Sequence, residues 1–286
     1  MPSVTKVLVL GASGRQGGAA ARHLLARGIG VRAFTRHPDQ AAIAALRERG
    51  AEVAVGDLDD LESVGRALEG VDAVFSVQTF VGHGPEGEMR QGKAVGDLAR
   101  RAGVRHVVYS SVGGAERQSG VPHFESKWAI EEHLRALGLG LTVLRPAYFM
   151  ENLERAVTPD AATGELVFRL ALPPDRPLQM VAVDDIGAFA AMAFAEPERW
   201  TGVALELAGD ERTGPEVAAA IAAALGRPAR FDSQPLDAVA AFSAEMARML
   251  TWFRDHGYRA DIAALRRLRP ELLDLPAWLA LRQTAW

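Results

Sequence analysis

VLVLGASGRQGG, Val7 to Gly18, runs from four apolar residues straight into a turn carrying Gly11, Gly14 and Gly17, and then into a helical pattern. Strand, glycine turn and helix, in that order, are what pyrophosphate binding demands. The turn must be tight, a phosphate must approach the backbone without a Cβ in the way, and a helix N-terminus must aim its N–H groups and positive dipole end at the anion. A glycine triplet alone carries little weight in a chain with 28 glycines among 286 residues. The placement between strand and helix carries the reading. The helix also puts Gly17, Ala21, Leu24 and Gly28 on one stripe, which suits close packing on a sheet.

Outward from this stretch, residues 6–145 alternate short β-branched runs (VLVL, VRAF, EVAV, AVFSV, HVVYS, LTVL) with longer helical segments such as GRQGGAAARHLLARG. Short apolar runs separated by helical spacers describe βαβ units and a parallel sheet covered on both faces. The expected fold is α/β, a Rossmann doubly wound parallel sheet with a smaller mixed α/β C-terminal subdomain. The expected domains are 1–146, binding NAD(P), and 147–286, with some chain crossing back to the Rossmann core. After Pro146 the pattern loosens into a Pro-rich stretch at 171–177, a strand candidate LQMVAV, a helix from about Asp184 to Ala195 and a strand VALELAG. Residues 1–145 hold 18 basic and 16 acidic side chains, and the remainder 14 and 20.

Composition narrows the function. At 49% hydrophobic and 24% charged the chain has the balance of a globular protein, not a disordered one. A net charge of −4 argues against direct nucleic-acid binding, and no apolar stretch approaches the roughly 18 residues of a membrane span, so no membrane association is expected. The absence of cysteine removes disulfides, thiolate nucleophiles, iron–sulfur clusters and Cys-type zinc sites. The seven histidines form no HExxH or His–carboxylate group at ligand spacing, so no metal is expected. The N-terminal apolar run ends in a glycine turn, not a cleavage site, which reads as a cytoplasmic protein without a signal peptide. GEMRQGKA at 87–94 fails as a Walker A loop because Ala94 cannot ligate Mg²⁺, and YSSVGG lacks the leading glycine of a nucleophile elbow.

The second strand ends in Thr35-Arg36-His37, where an NAD site commonly carries an acid for the ribose hydroxyls. Arg36, with Arg15 from the glycine turn, is typed to clamp a 2′-phosphate, which points to NADP(H) over NAD(H). Asp57, after the third strand, is placed either to meet the adenine amino group or to cap the following helix.

The segments LGASGRQGG, VRAFTRHP, the GD of VGDLDD, HVVYSSVGGA, HFESKWAIEEHLRALG, LTVLRPAYFMENL and VAVDDIG resemble the NmrA-like branch of the atypical short-chain dehydrogenase/reductases over most of the chain. The run His123 to Leu153 is the most specific. The resemblance implies an NADP(H)-binding protein, either a redox-sensing regulator or an NADPH-dependent quinone reductase. The candidate cofactor residues are Gly11, Ser13, Gly14, Arg15, Gln16 and Gly17 in the turn, Arg36, Asp57 and Leu58 on the adenine side, Ser76 and Val77 after the fourth strand, Lys127, and Pro146, Tyr148, Phe149 and Asn152 after the sixth.

A conventional short-chain reductase uses Ser, Tyr and Lys, with Tyr-x-x-x-Lys spacing; here the Lys position is Lys127, the Tyr position is His123, and Ser111, with Ser110 beside it, stands for the Ser. At about 100° per residue, His123, Lys127, Ile130, Leu134 and Leu137 share one wedge, so Lys127 continues an inward apolar stripe and competes only with an ion pair to Glu131. His123 is either a proton relay or a satisfied structural residue. Without the Tyr donor, carbonyl reduction loses a step worth typically 10²–10⁴ in rate. The leading reading is therefore a redox-sensing regulator with a protein partner. The alternative is a reductase of quinones or similar small acceptors, as monomer or homodimer. The loop VGHGPEGE, residues 81–88, reads either as a mobile lid or as a plain surface loop.

Overall fold

The structure, a computed structural model, describes residues 4–282. The chain divides into two compact units. One takes the chain up to Gln118, Pro122–Arg145 and Val183–Leu205; the other takes Ser119–Val121, Pro146–Ala182 and the chain from Glu206 on.

In the first unit the six apolar runs are strands: β1 (Lys6–Val9), β2 (Gly30–Thr35), β3 (Glu52–Val55), β4 (Ala73–Ser76), β5 (His106–Ser110) and β6 (Gly140–Pro146). Between them lie α1 (Arg15–Ala26), α2 (Ala41–Glu48), α3 (Leu61–Leu68), α4 (Gly84–Arg101) and α5 (Pro122–Ala136). The strands pair in parallel in the order β3-β2-β1-β4-β5-β6. That is the doubly wound Rossmann arrangement, with its crossover between β1 and β4. A seventh strand, Ala204–Leu207, joins beyond β6 through bonds such as Val143 N to Val203 O at 2.9 Å. The sequence placed this strand in the C-terminal half, because a run of four residues carries no mark of the sheet it joins.

Burial on both faces explains the composition of the strands. β4, β5 and β6 are buried throughout, and Leu8, Val74, Val107, Tyr109, Ile130 and Leu134 belong to one core cluster. α4 lies against α5 through small residues. A Cβ on Gly92 would sit 2.5 Å from Ile130 Cδ1, and one on Gly96 2.5 Å from Leu134 Cδ2. The helix Val183–Ala195 returns to cover α1 equally closely, with Gly187 against the Ala19 backbone. Asp184, at its start, accepts from His23 Nε2 at 2.8 Å and Arg22 Nη2 at 3.0 Å, and these partners hold its carboxyl well below the usual range. The helix thus begins at Val183, one residue before the expected start. The strand drawn from LQMVAV stops at Val181.

Residues 81–88 are not a loop. α4 begins at Gly84, with Pro85 in its first turn where the missing N–H costs nothing, leaving only Val81 to His83 in a turn. This corrects the reading of the whole segment as a loop, whether mobile lid or plain surface loop.

The second unit holds two three-stranded sheets. Tyr148–Phe149, Leu178–Val181 and Asp210–Arg212 form one; Val157–Pro159, Leu166–Leu170 and Ala229–Ser233 form the other. Trp252 meets Phe253 and Tyr258 edge to face within it, and the Phe253 and Tyr258 rings are tilted against each other.

His106 opens β5 fully buried. Thr142 Oγ1 spends its proton on Trp200 O at 2.8 Å, so His106 Nε2, 2.9 Å away, donates to it and Nδ1 is the bare nitrogen. No group among the described residues partners Nδ1, and burial lowers the imidazole pKa to about 4. The unfolded chain binds this proton near pH 6.5 and the native state only near pH 4, so His106 withdraws stability as pH falls through that window, by about 3 kcal/mol in total. His106→Leu should flatten the loss of stability between pH 6.5 and 4 relative to wild type, as read by urea unfolding at a series of pH values.

Candidate functional site

The glycine turn is built by backbone alone. Gly11 adopts φ +61°, a left-handed conformation that glycine takes without strain, and Gly14 N donates to Gly11 O at 2.8 Å. Gly14 is the N-cap of α1, and no side chain caps that end. A Cβ on Gly17 would overlap the carbonyl oxygens of Gly11 and Leu10, so α1 leaves the turn at a distance only glycine permits. Val77, just past β4, stands against Gly11: its Cγ1 is 3.4 Å from where a Gly11 Cβ would be. Ser13 Oγ is 3.5 Å from Thr35 Oγ1 at the end of β2. The turn therefore lies among the carboxyl ends of β1, β2 and β4, where ligands of open α/β sheets bind.

On the adenine side, Arg36 is exposed and its Nη1 lies 3.8 Å from Asp57 Oδ2. Arg15 is exposed at the first position of α1. Of the two roles open to Asp57, capping α3 falls to Asp60, whose Oδ1 accepts from Glu62 N and Ser63 N. Asp57 Oδ1 accepts from Asp59 N within the same loop, and Leu58 packs partly on the core.

At the other end of the sheet edge the two serines separate. Ser110 Oγ donates to Gln16 Oε1 at 2.6 Å, tying β5 to α1. Ser111 Oγ is buried without a partner among the described residues, as is Gln78 Oε1; Gln78 Nε2 donates to Ser76 Oγ at 3.0 Å. Buried polar atoms are normally paired, and unpaired ones beside a glycine cradle fit a site built to take a polar ligand.

Lys127 lies where the helical wedge put it, one turn after His123, its side chain 12% exposed. Glu131, the alternative partner one turn on, binds Arg145 and Arg135 instead. Lys127 Nζ donates to Glu88 Oε1 at 2.8 Å and to Gln78 O at 3.3 Å. Nothing in the residue pattern marks Glu88. It sits in the stretch read as a loop, and its pairing crosses from α4 to α5. His123 is buried, its ring stacked on Phe80 with centroids 4.4 Å apart and set edge-on to Phe124.

Four candidates belong to the second unit. Pro146 closes β6, and Tyr148 and Phe149 form a short strand pairing with Met180 and Val181. Burial raises the Tyr148 pKa, keeping the phenol protonated, and its ring meets Phe253 edge to face. Asn152 ends a single helical turn and is half-buried.

A parallel sheet in this strand order with a glycine cradle at the crossover defines a Rossmann-type protein. Residues 3–276 match the NmrA-like family, and the chain belongs to it. It is 32% identical over 228 residues to the NAD(P)H azoreductase of Xenophilus azovorans, covering 79% of this chain and 76% of that one. The fold matches NmrA, a negative transcriptional regulator solved in complex with NADP, at TM-score 0.82 and 20% identity over 98% of this chain and 95% of that one. It also matches Citrobacter sp. triphenylmethane reductase complexed with NADP(H), at 0.77 and 20% over 97% and 99%.

Gly17→Ala should destabilise the protein by about 1–3 kcal/mol or more, because the obstacle is main chain rather than a side chain that can swing away. A lowered urea midpoint with an unchanged slope is the expected result.

Proposed function

We propose that this protein is an NADPH-dependent reductase of quinones, azo compounds or similar small conjugated acceptors. The observation that carries the reading is Lys127. An ammonium has three N–H donors, and two are committed to Glu88 and Gln78, so the third is held ready for a ligand hydroxyl. A mostly buried lysine clamped in this way suits a grip on the nicotinamide ribose.

NADPH, when bound, supplies the hydride. Gly11, Gly14 and Gly17 open the turn to the pyrophosphate, and the uncapped N-terminus of α1 faces it. Arg36 and Arg15 take the 2′-phosphate, with Ser13 beside them. Ser111, its hydroxyl without another partner among the described residues, hydrogen-bonds the acceptor. Conjugated acceptors take hydride readily and their reduced anions are protonated by water or by His123, so the missing Tyr is no obstacle. The 32% identity to an azoreductase supports an enzyme over a regulator.

The second reading, a redox-sensing regulator that binds NADP(H) and acts through a protein partner, draws on His123. Its ring stacks on Phe80 at the position where a conventional reductase has its proton donor.

Purified protein mixed anaerobically with NADPH and a panel of quinones and azo dyes should consume NADPH faster than NADH. Tight NADPH binding with no turnover of any acceptor would favour the regulator instead. Arg36→Ala should lower the preference for NADPH over NADH roughly tenfold, the scale of one charge-assisted contact. An unchanged ratio would remove Arg36 from the 2′-phosphate site.

A further inference from the structure

Glu88 is a fully buried carboxylate, and both its oxygens are engaged from α5: Oε1 by Lys127 Nζ at 2.8 Å and Oε2 by Ser126 Oγ at 2.5 Å. Ser126 Oγ also lies 3.2 Å from His123 O. A carboxylate this deep is retained only with a compensating charge, and Lys127 is the cation that touches it. Its negative charge is felt at the neighbouring Tyr109, whose phenol is pushed up by burial first and by Glu88 and Glu131 after it.

The helices are arranged for this contact. Along α4, Glu88, Gly92 and Gly96 recur every four residues, and their partners on α5 step in the same way: Ser126 and Lys127, then Ile130, then Leu134. The glycines let the helices approach closely enough for a glutamate to reach the lysine at the head of the row. Gln78 O grips the same ammonium from the end of β4. Lys127, a flexible side chain with considerable rotamer entropy when unrestrained, is thereby fixed before any ligand arrives.

We propose that Glu88 is a positioning residue for dinucleotide binding, which holds the Lys127 ammonium so that its remaining N–H is aimed at the nicotinamide ribose. The role rests on the dinucleotide reading above. It differs from a packing role in being exerted only through Lys127, and so disappears when the ammonium does.

The test is NADPH affinity, by the fluorescence of the bound reduced nicotinamide, for wild type, Glu88→Gln, Lys127→Met and the double variant, each as the full chain. Glu88→Gln should weaken NADPH binding by roughly ten- to a hundredfold, the range found when an orienting partner of a metal-ligating histidine is lost. In the Lys127→Met background it should add no further weakening. Lys127→Met alone, which strands a buried carboxylate, should melt below the double variant. Wild-type affinity in Glu88→Gln, or effects that multiply in the double variant, would overturn the role while leaving the dinucleotide reading intact. A wild-type protein that does not bind NADPH overturns both. Should Glu88→Gln fail to fold, Ser126→Ala releases the other carboxylate oxygen. It should give a smaller weakening that again vanishes with Lys127→Met, and wild-type affinity there overturns the proposal.

Discussion

The first unit is organised around a close approach of main chain to main chain. At Gly17 the first helix leaves the turn so near the carbonyls of Leu10 and Gly11 that no side chain fits between them. That proximity fixes where α1 starts and leaves its N-terminus open at the edge of the sheet. It also sets where the rest of α1 packs: Gly18, Ala19, Ala20 and Ala21 are buried, and Gly187 brings a late helix against the Ala19 backbone. The glycine turn and a helix-packing surface thus lie within one short segment, and a larger residue in either place disturbs the other.

The same device recurs between α4 and α5, with a different result. Glycines there place a charged pair, not an open helix end. A buried salt bridge contributes little net stability, because desolvating both ions offsets most of their attraction, so its retention is better explained by what it orients. The cost of breaking it is asymmetric: a variant that removes the lysine leaves an uncompensated charge in the core, whereas one that removes the acid leaves an ammonium only partly hidden. Loss of function on replacing Lys127 therefore mixes two causes.

Much of the first unit was legible in the sequence because its signals are local. Each parallel strand is a β-branched run, each crossover a helical period, and the glycine turn lies within twelve residues. Helical periodicity likewise gave the inward direction of Lys127. What escaped was nonlocal. The partner of Lys127 lies on another helix, and Glu131, the candidate one turn away, is drawn off by Arg145 from a neighbouring strand. The partner of Ser110 is Gln16, ninety-four residues away in the chain. The role of Asp57 as cap was lost to Asp60, three residues on, a difference finer than residue type conveys. The start of α4 was obscured by glycines that look like a loop until Pro85 is seen to sit where a first helical turn accepts it.

The route of the chain through the first unit bears on how it is made. The edge strand Ala204–Leu207 and the helix that covers α1 come after the long excursion that begins at Pro146. During vectorial synthesis the six earlier strands emerge with β6 as a bare edge and the alanine-rich flank of α1 facing water. An unpaired edge strand whose residues are all buried in the finished fold is the kind of surface that recruits other chains. The late arrival of residues 183–207 covers both surfaces and ends that exposure.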